Sequence, residues 1–100
     1  MDIAGLAQFP GGALVERGIR DLGEGRQSTE ALLVAIGAGR LRVAGVPVPR
    51  VAIEDPELRL YELLAADDPD SAHGRYNALL RQLTSFERAA EAATHRAPGR

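Results

Sequence analysis

The sequence contains no cysteine, no lysine and no long apolar run. Without cysteine, the chain cannot form disulfides, thiolate metal sites or a thiol nucleophile. All twelve basic residues are arginines, which we attribute, with the many alanines and glycines, to a GC-rich genome. The longest uninterrupted apolar run is 31–36, far short of the roughly 20 residues that span a membrane. Because no basic region followed by an apolar stretch begins the sequence, we expect no secretory signal, no membrane association and a cytoplasmic protein.

The composition is that of an ordinary globular protein, with 45% hydrophobic and 26% charged residues. One hundred residues are enough for a single helical domain, 1–100, with its own core. The charge is uneven, because 54–70 holds seven acidic residues and only one arginine, whereas 71–100 holds five arginines and two acids. Acids at helix N-termini account for part of this block. The alternative is that 54–70 docks a basic protein partner.

Apolar spacing and helix-boundary residues predict an all-α fold, a compact bundle of four main helices. Ser28 is a predicted N-cap, and Asp55-Pro56 and Asp68-Pro69 each resemble a helix start, with an acid before a proline. An N-terminal arm and a frayed tail flank the helices, and 45–54 is an extended connector or a strand. The predicted boundaries are 1–11 for the arm, 13–23, 29–36 with a short turn at 40–44, 56–66 and 69–94 for the helices, and 95–100 for the tail.

A heptad-like apolar pattern marks the last helix. Its members recur every three or four residues and therefore share one stripe: Ala72, Tyr76, Leu79, Leu83, Phe86, Ala90 and Ala93. A helix over 69–94 is longer than the other predicted helices can cover, so we expect its C-terminal end to pack against a second copy, parallel or antiparallel. The predicted function is a protein-interaction or structural module that forms a homodimer through this helix. The expected interface residues are Tyr61, Leu83, Phe86, Ala90 and Ala93.

The main alternative is a DNA-associated regulator that uses 30–44 as a helix-turn-helix-like segment. In this interpretation Arg40 and Arg42 contact phosphate or guanine. Against it, the second helix ends before Gly45, Leu33 crowds the turn, and the acidic domain lacks a basic footprint. We therefore do not expect nucleic acid as a partner.

A second alternative is a small-molecule or hydrolytic site at Asp70, His73 and Asn77, whose spacing places them on one helical face. The simpler interpretation is a solvated first-turn pair, since no nucleophile has a recognisable partner. His73 and His95 lack metal-ligand spacing, and Asp68-Pro69-Asp70 does not continue as a calcium loop. The glycine pairs at 23–25 and 37–39 lack the rest of a phosphate-binding motif. We expect no metal, no cofactor and no enzymatic activity.

Overall fold

The computed structural model describes residues 3–95, and every regular element in that range is a helix. This confirms the all-α prediction. The segment expected as a short turn forms a helix of its own, so this range has five α-helices after an N-terminal 3₁₀ helix. The elements are the 3₁₀ helix Ile3–Gln8 and the α-helices α1 (Gly12–Gly23), α2 (Thr29–Ile36), α3 (Ala38–Val43), α4 (Pro56–Asp67) and α5 (Ala72–His95). The predicted tail lies outside the described residues beyond His95.

Helix α2 is the centre of the core. Its four consecutive residues Ala31–Val34 are all buried, because the helix contacts α1, α4 and α5 on different sides. A helix that is apolar on all sides must be buried on all sides, and α2 meets this requirement. The helix begins as predicted, since the Ser28 hydroxyl accepts a hydrogen bond from the Ala31 N–H at 3.1 Å.

Helix α1 crosses α2 at a glycine. A Cβ at Gly18 would lie 2.3 Å from the Glu30 carbonyl oxygen and 2.4 Å from Val34 Cγ2. Both distances are far below van der Waals contact. The two backbones therefore approach closely only because residue 18 has no side chain. The neighbours Val15 and Ile19 are buried in the same interface.

A polar contact joins the end of α1 to the start of α2. The Ser28 hydroxyl donates to Asp21 Oδ2 at 2.5 Å, and the Arg26 guanidinium donates to Asp21 Oδ1 at 3.2 Å. These hydrogen bonds, that from Ser28 above all, hold the pKa of the buried Asp21 below its ordinary value. Ser28 thus serves both as the cap of α2 and as a donor to α1.

The segment between α3 and α4 is an extended connector that lies on the core. Val46 and Val48 are buried, while Val51 is exposed. The Arg42 guanidinium donates to the carbonyl oxygens of Val48 and Pro49, at 3.4 and 3.0 Å. No strand forms in the described part of the chain, so this connector has no β partner.

The two Asp-Pro pairs behave differently. Helix α4 begins at Pro56 as predicted, although Asp55 is left-handed (φ 47°) and its side chain makes no capping hydrogen bond. Helix α5 begins at Ala72, not at 69. The Asp68 carboxylate accepts from the Asp70 N–H at 3.1 Å and its carbonyl accepts from the Ser71 N–H at 3.2 Å. These bonds form a turn that delays the helix.

Candidate functional site

The described residues leave few large apolar side chains exposed, and α4 carries most of them. Leu58 is 56% exposed, Leu63 is 41% exposed and Tyr61 is 36% exposed. Only Leu60 and Leu64, one helical turn apart, are fully buried on this helix. One side of α4 therefore covers the core, and apolar residues remain on its outer side. Leu58 and Tyr61 share one flank of α4, whereas Leu63 borders a groove with Gln27 and Leu32 on the other flank. Exposed apolar neighbours such as Leu58 and Tyr61 are typical of a binding surface.

Helix α5 continues the apolar surface of α4. The turn at 68–71 reverses the chain, and the rings of Tyr61 and Tyr76 meet edge to face with centroids 5.5 Å apart. Tyr76 and Leu80 are only partly buried against the core. We call Leu58 and Tyr61 of α4, together with Tyr76 and Leu80 of α5, the α4–α5 face.

The surroundings of this face are charged, with opposite signs on the two helices. On α4 and just before it, Glu54, Glu57 and Glu62 are exposed. The outer side of α5 carries Arg81 and Arg88, which make no ion pair with any residue of 3–95. These arginines border a shallow groove of about 500 Å³, lined by Asn77, Leu80, Arg81, Thr84, Ser85 and Arg88.

The interface residues predicted on α5 lie mostly inside the subunit. Leu83, Phe86 and Ala90 are buried by the chain itself, and Ala93 is half-buried. The ring of Phe9 meets that of Phe86 edge to face at 5.9 Å. Of the five expected residues, Tyr61 alone is more than one-third exposed. Leu83, Phe86 and Ala90 therefore offer no exposed stripe to a second copy.

A close approach at Gly37 explains part of this burial. A Cβ at Gly37 would lie 2.7 Å from Glu87 Oε2 and 3.1 Å from a methyl carbon of Leu83. The junction of α2 and α3 can therefore press directly on α5. Leu83, Phe86 and Ala90 are therefore covered by the chain itself, whereas Tyr76, Leu79 and Leu80 nearer the start of α5 remain partly exposed.

The arginines of the DNA-binding alternative are engaged within the subunit. Arg40 donates to Glu91 at 2.6 Å and to Glu87 at 3.1 Å, which ties α3 to α5. Arg42 holds the connector, as described above. Helix α3 has six residues, fewer than a recognition helix needs to lie along a major groove. The geometry therefore gives no support to a helix-turn-helix at 30–44.

The Arg40 contact is an electrostatic feature in its own right. Burial raises the pKa of Glu87 above its ordinary value, while the charge of Arg40 opposes this shift. The hydrogen bond to Glu91 in turn raises the pKa of Arg40. The sequence does not predict this cluster of Arg40, Glu87 and Glu91, because the two glutamates lie 47 and 51 residues after Arg40 in the chain.

Asp70, His73 and Asn77 do not form a catalytic group. Asp70 precedes α5 instead of sharing its first turn, and in the described residues no hydrogen bond joins it to His73. His73 is exposed, and its Nε2 lies 3.1 Å from Asn77 Nδ2. The carboxylate therefore does not orient the imidazole as a general base would require.

Within residues 3–95, no three metal-ligating side chains cluster. No described helix combines the length and apolar character that crossing a membrane requires. Comparisons with protein-family models, with curated proteins and with solved structures give no match. The α4–α5 face is therefore the candidate site on which a functional argument can be built.

Proposed function

We propose that this chain is a small helical interaction module that self-associates as a homodimer through the α4–α5 face. One observation carries the proposal: Leu58 and Tyr61 are exposed three residues apart on α4, and the ring of Tyr61 contacts that of the partly buried Tyr76. In this dimer α5 contributes Tyr76 and Leu80 to the interface, and α4 contributes Leu58 and Tyr61.

The energetics favour a weak, reversible contact. Burying the exposed half of Leu58 contributes about 1 kcal/mol for each subunit. Helix α4 has 12 residues and is therefore about 18 Å long, so a two-helix face of this length falls at the small end of specific interfaces. We expect a dissociation constant in the roughly micromolar range.

The test is sedimentation equilibrium of the full chain over a wide concentration range. Leu58→Gln removes the most exposed apolar side chain of the face without opening the core. We expect it to weaken association about 30-fold, because both subunits lose the contribution of Leu58. Val43→Gln is the matched control, because Val43 is 84% exposed but lies at the end of α3.

A wild-type chain that stays monomeric at millimolar concentration would contradict self-association. Equal effects of Leu58→Gln and Val43→Gln would contradict the choice of face. Binding of a basic peptide by a monomeric wild-type chain would instead assign the acidic segment 54–70 to a different partner.

A further inference from the structure

We infer that the two subunits stack with α4 of one over α5 of the other, and that Arg81 faces the acidic start of the partner's α4. This arrangement rests on the proposed self-association and specifies its geometry. It follows from the sign of the charge on each helix, from the level of the Tyr61–Tyr76 contact and from two-fold symmetry.

The charged side chains of α5 divide between the core side and the outer side of the helix. This helix contains two acidic residues, Glu87 and Glu91, and both pair with Arg40 of α3. Its exposed residues Arg81 and Arg88 make no ion pair with any described residue. The outward charge of α5 is therefore basic.

The outward charge of α4 is acidic. Glu54, Asp55, Glu57 and Glu62 are exposed, and none of them forms an ion pair with another residue of 3–95. The nearby Arg59 donates to the Glu54 carbonyl and to the Gln27 side chain. The α4–α5 face therefore has one acidic side and one basic side.

A two-fold dimer of stacked helix pairs places α4 either over the partner's α4 or over the partner's α5. The first arrangement opposes acid to acid and arginine to arginine, which is unfavourable. The second opposes each acidic helix to a basic one, so charge complementarity selects a two-fold axis that runs along the helices.

The Tyr61–Tyr76 contact determines which residues of α4 and α5 lie at the same height along the helix axes. Tyr61 lies beside Tyr76, and α5 runs back along α4. Arg81 follows Tyr76 by five residues, and Pro56 precedes Tyr61 by five residues. Arg81 therefore lies at the height of Pro56, between Asp55 and Glu57. A two-fold axis parallel to the helices preserves this level, so Arg81 faces Asp55 and Glu57 of the partner subunit.

The experiment is a charge exchange between two full-length variants at low ionic strength. One variant combines Asp55→Asn, which keeps a residue that tolerates the left-handed backbone at φ 47°, with Glu57→Arg, and the other is Arg81→Glu. We expect each variant on its own to associate about tenfold more weakly than the wild type. In each homodimer the two symmetry-related contacts between residue 81 and the start of the partner's α4 bring like charges together. Their equimolar mixture should recover wild-type association, since every pair in the heterodimer is complementary.

The matched control is Arg50→Glu, which makes the same charge change at an exposed arginine of the connector. It should leave association unchanged. If the wild type dimerises but the mixture shows no recovery, the stacking inference fails and self-association stands. If the wild type does not dimerise, the proposed function itself fails.

Disulfide trapping gives a second measurement that does not depend on the stability of the charge variants. The chain has no cysteine, so Glu57→Cys and Arg81→Cys each introduce a single thiol. Mixed under mild oxidation, the two variants should form the 57–81 heterodimer faster than either homodimer. Faster formation of the homodimers would overturn the stacking.

Discussion

Replacing Gly18 by alanine tests whether the crossing of α1 and α2 organises the core. The added Cβ would lie 2.3 Å from the Glu30 carbonyl oxygen, more than about 1 Å inside ordinary contact. This oxygen belongs to the backbone and cannot rotate away as a side chain can, so α1 must move away from α2. Gly74 of α5 provides the matched control, because nothing lies within 4 Å of a Cβ built there.

The magnitude follows from two opposing effects. Alanine is favoured over glycine inside a helix by about 1 kcal/mol. Overpacking at a rigid site costs about 3 kcal/mol, the upper part of its usual range. We therefore expect Gly18→Ala to lower the free energy of unfolding by about 2 kcal/mol, and Gly74→Ala to raise it by roughly 0.5–1 kcal/mol.

Thermal unfolding followed by circular dichroism measures the difference. At about 4–8 °C per kcal/mol for a domain of this size, the two variants should differ in Tm by at least about 10 °C. A single low protein concentration keeps any self-association from contributing. A Gly18→Ala chain as stable as the wild type would refute the close crossing of α1 and α2.

Two further predictions concern pH. Because burial raises the folded-state pKa of Glu87, the contribution of Glu87 to wild-type stability should fall as pH rises from the ordinary value of 4.5 through that raised pKa. Glu87→Gln should remove this decline, so its stability relative to wild type increases from acid to neutral pH in urea titrations; a constant difference would contradict it. The pKa of Asp21 is lowered, chiefly by the Ser28 hydrogen bond, so its contribution is present above pH 3.8 and is lost as pH falls through the folded pKa. Asp21→Asn should therefore destabilise at neutral pH by more than at pH 2, and equal destabilisation at both would argue against the charged contact.

Local signals in the sequence predicted the helices well. The bounds of α2 agree with the structure, and α1 and α4 differ by a single residue at one end. Ser28 caps α2 because an N-cap needs only its own hydroxyl and a backbone N–H three residues later. Signals that act over one helical turn are visible in a single sequence.

Local signals do not predict which part of α5 the rest of the chain buries. Helical spacing predicts the apolar stripe of α5. The part of that stripe that is buried depends on the close approach at Gly37 and on the Phe9–Phe86 contact. Arg40 likewise finds its carboxylates about 50 residues away. Pairings at such separations are set by the packing of whole helices, and helical periodicity carries no information on them.

The Tyr61–Tyr76 contact has a practical consequence for spectroscopy. The chain has two tyrosines and no tryptophan, and both phenol rings lie where α4 meets α5. Intrinsic ultraviolet fluorescence therefore originates at this seam without a dominant indole signal from elsewhere. Emission intensity and anisotropy provide a label-free optical reporter placed on the surface where a second subunit is expected to dock.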